Sequence, residues 1–181
     1  EIGGKTHEII YRDIFEIKKK NTLAIICFSM GTWVAGVFTA TCSRYVASRG
    51  YNLSVATPGI EKEDILTILR DFAHNFDEVI LAGYPPFLMD VITEAKNRKL
   101  NLKKLNLRIL FAGENFSEKW REIIHGYADI DNPLMGSISV YGTADAAILG
   151  HETPLSIFLR KKADLNKVFS QSLLGDTTFL P

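Results

Sequence analysis

Residue types capable of chemistry gather in this 181-residue sequence where apolar runs end in glycine. Two such endings carry a carboxylate: Phe111-Ala112-Gly113-Glu114, and Val140-Tyr141-Gly142-Thr143-Ala144-Asp145. Glycine lets backbone approach a ligand closely, a carboxylate can accept hydrogen bonds or face a hard cation, and Tyr141 adds a flat aromatic face. On neighbouring strands, the two would make a site for a purine and its phosphate. A third ending, Cys27-Phe28-Ser29-Met30-Gly31, puts a serine between an apolar run and a helical pattern, as nucleophile elbows do. Cys27 occupies the place of the elbow's first glycine, and only Asp145 followed by His151 supplies an acid and a base in the required order. Both follow a single strand, so Ser29 is expected in a turn joining a core strand to a core helix, with a serine acyl-hydrolase as the alternative. Gly3-Gly4-Lys5-Thr6 imitates the end of a phosphate loop without the earlier glycine and preceding strand that aim N–H groups at phosphate. His7, His74 and His125 lie on helical stretches without paired ligands and are expected on the surface or in packing. Cys27 and Cys42 sit in apolar stretches without metal-ligand spacing, which predicts reduced, buried thiols in a cytoplasmic protein.

The elements that must position these residues follow an alternation. Residues 1–20 carry Ile9, Ile10, Ile14, Phe15 and Ile17 at positions suiting a helix on a core. The uncharged run 21–43 is long enough to span a bilayer, yet it changes character at Ser29-Met30-Gly31. Residues 23–28 predict a buried strand, and Trp33, Val37, Cys42, Tyr45 and Val46 predict a helix ending at Gly50. Residues 53–56 predict a strand. Over 60–76 the face Ile65, Ile68, Leu69, Phe72 and Phe76 predicts a helix, with Glu61, Glu63 and Asp64 at its positive end. Residues 78–82 predict another strand, after which Pro85 opens a helix with the face Leu88, Val91, Ile92 and Ala95. Residues 107–111 and 137–140 predict two more strands around a helix capped by Ser117, with the face Trp120, Ile123 and Ile124. Continuously apolar strands are covered on both faces, so the expected fold is α/β, a three-layer sandwich with a mostly parallel sheet flanked by helices. Ligands of such sheets bind beyond the carboxyl ends of the strands, where the glycine endings fall.

Composition sets the outer limits. The chain is 46% hydrophobic and 23% charged, ordinary for a globular domain, and its 21 basic residues balance its 21 acidic ones. That balance argues against a sequence-independent grip on nucleic acid, and the broken apolar run against a membrane span.

Four segments together carry a family resemblance. Phe111-Ala112-Gly113-Glu114-Asn115-Phe116-Ser117-Glu118 resembles the glycine-alanine-glutamate segment of phenylacetate-CoA ligases. Ile138-Ser139-Val140-Tyr141-Gly142-Thr143-Ala144-Asp145 resembles the tyrosine-glycine-any-threonine-glutamate motif of the wider adenylate-forming superfamily. Phe28-Ser29-Met30-Gly31-Thr32-Trp33-Val34-Ala35-Gly36 is similar to that family's entry to its first core helix, and Gly83-Tyr84-Pro85-Pro86 to its glycine-any-proline turn. The resemblance implies activation of a small aromatic or aliphatic carboxylic acid by ATP as an acyl-adenylate, then transfer to coenzyme A. It places Ala112, Gly113, Glu114 and Asn115 beside the adenine, Tyr141 against the base or acyl group, and Gly142 next to the acyl-phosphate. Thr143 and Asp145 take catalytic places, Asp145 also holding Mg2+, and Trp33, Gly83 and Tyr84 shape the acyl pocket. Ala144 departs from the family's threonine and Asp145 shortens its glutamate, which leaves a non-catalytic nucleotide-binding module as a further alternative. The phosphate loop and the lysine-bearing C-terminal lid are missing from these residues. The expectation is therefore a single α/β subdomain, 1–181, within a longer AMP-binding domain and inactive alone, whose open sheet edges invite a homodimer.

Overall fold

The computed structural model describes residues 2–175. Helix α1 (Ile2–Ile9) continues into a π-helical turn (Ile10–Ile14) and, farther on, a 3-10 turn (Ile17–Lys19). Then β1 (Thr22–Cys27), α2 (Val34–Ser48), β2 (Leu53–Ala56), α3 (Lys62–Asp71), β3 (Glu78–Gly83), α4 (Pro85–Asn97), β4 (Leu107–Ala112), α5 (Glu118–Ala128) and β5 (Ser137–Thr143) alternate. They are followed by β6 (Ala147–His151), α6 (Pro154–Leu165) and α7 (Lys167–Leu174). The strands form one six-stranded sheet in the order β2-β1-β3-β4-β5-β6, parallel except for β6, which returns antiparallel on β5.

Two cores share this sheet because successive strand residues point to opposite faces. Leu23, Ile25 and Cys27 of β1 join Ile65 of α3, Leu88 and Val91 of α4 and Ile124 of α5. Ala24 and Ile26 join Ile10 and Phe15, Ala40 and Val46 of α2, and Ile157 of α6. Every residue of β1 and β3 is buried, as strands covered on both sides must be. The three-layer α/β architecture expected from the alternation is the one found. The uncharged run 21–43 is divided between β1, a loop and α2, and no described helix is long and apolar enough to cross a membrane.

Helix faces differ from expectation where large side chains misled. Ile9 is exposed, because it lies off the face that His7, Ile10, Tyr11 and Ile14 bury at helical spacing. On α2 the buried face is Gly36, Thr39, Ala40, Cys42, Ser43 and Val46, whereas Trp33 and Val37 are exposed. Small residues lie there because α1 comes close. A Cβ on Gly3 would stand 2.5 Å from the Phe38 ring, and one on Gly4 2.6 Å from the Tyr45 ring. The Gly3-Gly4-Lys5-Thr6 segment is thus part of a tight helix contact inside α1. Phe72 and Ile123 are exposed as well. Both cysteines are free and buried.

Candidate functional site

At the carboxyl ends of β1, β4 and β5, on the α2 side of the sheet, lies a cavity of about 230 Å3. Ala112 and Gly113 line it from the end of β4, and Gly142, Thr143 and Ala144 from the β5–β6 hairpin. Phe28 lines it just beyond β1, as do Val34, Ala35, Phe38 and Thr39 of α2. Parallel pairing of β4 with β5, Ala112 opposite Val140, is what brings the two glycine endings side by side.

Local geometry explains both glycines. Gly113 has φ +95°, and a Cβ there would approach the Tyr84 ring to 3.3 Å. A Cβ on Gly142 would collide with the Ala147 carbonyl, in a hairpin whose register shifts between Tyr141 and Gly142. β5 runs through Tyr141-Gly142-Thr143, so the second motif is strand and hairpin turn, where a loop following a shorter strand was expected. The Thr143 hydroxyl accepts from the Ala146 N–H at 3.1 Å, pinning the turn that holds Ala144 and Asp145.

The remaining expected residues do not line this cavity. Tyr84 donates its hydroxyl to the Glu114 carboxylate, and that bond raises the Tyr84 pKa above its ordinary value. A residue expected in the acyl pocket and one expected beside the adenine are therefore partners across the β3 and β4 ends. Gly83 is buried in β3, where a Cβ would meet the Leu88 side chain at 2.8 Å and the Cys27 carbonyl at 3.0 Å; its absent side chain lets α4 close on the sheet. Trp33, Tyr141, Asn115 and Asp145 are exposed. Asp145 sits in the hairpin turn and His151 at the far end of β6, whose Nδ1 donates to the Glu152 carbonyl at 2.8 Å, so the two are separated along the hairpin. Ser29 is not among the residues with left-handed backbone, and six residues separate the last of β1 from the first of α2. The strained elbow and base that activate a hydrolase serine are not assembled around it. No group of three or more His, Cys, Asp or Glu among the described residues forms a metal cluster. A single carboxylate such as Asp145 suits a Mg2+ ion that arrives with the phosphates of its nucleotide.

No protein-family model and no curated protein matches this sequence. Solved structures do match. An open conformation of 2-hydroxyisobutyryl-CoA ligase in complex with 2-HIB-AMP and CoA has a TM-score of 0.64 at 14% identity, over 85% of this chain and 34% of that one. The same ligase in its thioesterification state gives 0.62 at 12%, over 85% and 31%. In the postadenylation state with 2-HIB-AMP it gives 0.59 at 12%, over 84% and 32%. This chain shares its fold with part of a CoA ligase. It spans about a third of those ligases' length.

Two groups within this CoA-ligase fold escaped the sequence-based expectations. His7 is buried and lines the cavity, although its spacing with Ile10, Tyr11 and Ile14 already put it on the buried stripe. The second is an ionic cluster that fastens the hairpin. Arg121, with no exposure at all, donates to Glu118 at 3.0 Å, to both oxygens of Glu152 at 2.7 and 2.8 Å, and to the Ser137 hydroxyl at 3.0 Å. Arg160 of α6 reaches Glu118 and Glu152, and Glu152 accepts from the Ser139 N–H at 2.7 Å. His125 lies 2.7 Å from the Ser137 hydroxyl. Burial and the nearby Arg121 charge lower the His125 pKa to about 4, so the ring that shares this hydrogen bond is neutral near pH 7.

Proposed function

We propose that these residues form the acid-binding and adenine-side part of an ATP-dependent, AMP-forming carboxylic acid:CoA ligase. The observation that carries this is the shared cavity: both glycine endings open onto one space, in a fold shared with ligases that hold an acyl-adenylate and CoA. In the proposed reaction the substrate carboxylate attacks the α-phosphorus of ATP, pyrophosphate leaves, and the acyl group passes from AMP to the coenzyme A thiol. Ala112, Gly113, Glu114 and Asn115 border the adenine, with Glu114 steadied by Tyr84. Tyr141 offers a face for the base, Gly142 leaves room for the acyl-phosphate, Thr143 lines the pocket, and Asp145 faces the phosphates and Mg2+. The acyl group enters the cavity itself, and Trp33, Gly83 and Tyr84, which do not line it, shape the acyl side from outside. The phosphate loop and lid lie outside these 181 residues in this reading, the compartment is cytoplasmic, and the edges β2 and β6 are open to pairing. An aromatic acid of the phenylacetate type is one candidate substrate among small carboxylic acids.

Pyrophosphate exchange by the full-length protein across aliphatic and aromatic acids tests the proposal. Acid-dependent exchange, lowered at least tenfold by Glu114→Ala or Asp145→Ala, is expected on the scale of one lost charged contact. Exchange with none of the acids would overturn it. One observation favours a second reading: Ala144 presents a methyl at the cavity mouth where the resemblance has a hydroxyl. ATP binding without exchange for any acid would select that non-catalytic nucleotide-binding module.

A further inference from the structure

The cavity deepens from a mouth of exposed residues, Gly142, Thr143 and Ala144, to a floor of buried ones, Leu110, Thr39 and His7. The walls between are apolar, with Phe28, Phe38 and Ile148 among them. A volume of about 230 Å3 is below the roughly 300–1,000 Å3 of drug-sized sites, so the space suits a small acyl group.

His7 is held in one orientation. Its Nδ1 lies 2.9 Å from the Gly3 carbonyl one turn back in α1, and because a carbonyl only accepts, Nδ1 carries the hydrogen. The ring meets Phe38 edge-on at 5.6 Å and lies over Tyr11 at 6.4 Å. Burial lowers its pKa, so the ring is neutral near pH 7 and Nε2 is a bare acceptor. Nε2 has no partner among the described residues. Among the described residues the sealed, unpartnered side-chain polar atoms are Thr22 Oγ1, Glu78 Oε1 and Arg108 Nε, and His7 is not among them. The ring lines the cavity, and with Nδ1 tied to Gly3, Nε2 is the nitrogen left to meet what occupies it. The Thr39 hydroxyl, on the lining of the same cavity, likewise makes no side-chain hydrogen bond among the described residues. An acceptor and a hydroxyl at the foot of an apolar cavity are matched by a group that both donates and accepts.

We propose that His7 sets the acyl specificity of this site: it takes a small apolar acyl group bearing a hydroxyl at the end remote from its carboxyl, and that hydroxyl donates to Nε2 of His7. Thr39 donates to the same hydroxyl oxygen. The proposal rests on the acid-ligase reading, and its test separates the two. Titration calorimetry on the full-length protein would use sulfamoyladenosine conjugates of butanoic, pentanoic and hexanoic acids, each with and without a terminal hydroxyl. At the chain length that reaches the floor, the hydroxylated conjugate should bind about tenfold more tightly than its plain partner. His7→Leu should erase that ratio while the plain conjugate still binds, and His7→Gln, which keeps an acceptor, should restore part of it. A ratio within one variant is unaffected by general loss of packing. Should His7→Leu not fold, Thr39→Val and His7→Gln carry the comparison, each lowering the ratio. Equal binding of both partners at every length, or a ratio unchanged in these variants, would overturn the role of His7 while leaving the ligase reading intact. Absence of binding by every conjugate would overturn both.

Discussion

Gly36 sets its α carbon against the turn that holds Ser29: a Cβ there would collide with the Ser29 and Phe28 carbonyl oxygens. Backbone cannot swing aside as a side chain can, so Gly36→Ala should cost about 1–3 kcal/mol in urea unfolding. Gly83→Ala meets Leu88 and the Cys27 carbonyl and should cost about as much. Ser29 has its place in the same turn, and no histidine among the described residues hydrogen-bonds to it. Neither the native chain nor Ser29→Ala should react with a fluorophosphonate probe, and labelling of the native chain alone would restore the hydrolase alternative. Chemically suggestive types at the right spacing are thus explained here by close backbone approach, and His7, which looked like a packing residue, reaches the cavity.

Helix α5 carries Glu118, Arg121 and His125 on the same buried side as Ile124 and Ala128, where it meets β5 and the hairpin. Truncating Arg121 to Ala would leave Glu118 and Glu152 without their buried cation, and about 3–5 kcal/mol of stability should be lost. His125 makes the same contact sensitive to acid. Its folded pKa of about 4 lies below the ordinary 6.5, so between those values the unfolded chain binds the proton that the native state excludes. Stability should be full above about pH 6.5 and fall as pH drops toward 4, with His7 acting in the same direction. Thermal melts across that window should show the slope, and His125→Asn should flatten it. The capping box of Thr153 and Ser156 begins α6 just beyond Glu152, holding Arg160 of that helix toward the cluster.

On the scale of the whole molecule, two cores lie back to back on one sheet, and losing either would expose a face of β1 and β3 that is completely buried. The chain should therefore unfold in one transition. Circular dichroism and the fluorescence of half-buried Trp120 should report the same midpoint; separate midpoints would mean that the α1–α2 layer melts alone. Much of this plan was legible along the chain. The strand Leu53–Ala56, the helix opening at Pro85 and the Ser117 cap stand where apolar runs, a proline and an N-cap serine predict them. Such signals act over one or two turns and need no distant partner. β6, α6 and α7 were not legible, since β6 is a short, half-buried edge strand defined by its pairing with β5, and the two helices present many apolar residues to solvent. The sequence by itself determined the α/β alternation, the two-sided burial of the strands and the glycines at their carboxyl ends, because those follow from local period and backbone freedom. Only the tertiary structure decided that Gly113 and Gly142 share a cavity, that Tyr84 holds Glu114, and that His7 forms the floor. Each of these joins elements far apart in the chain, and no local pattern encodes how closely α1, α2 and the sheet approach; the small residues between them do so only once all three are in place.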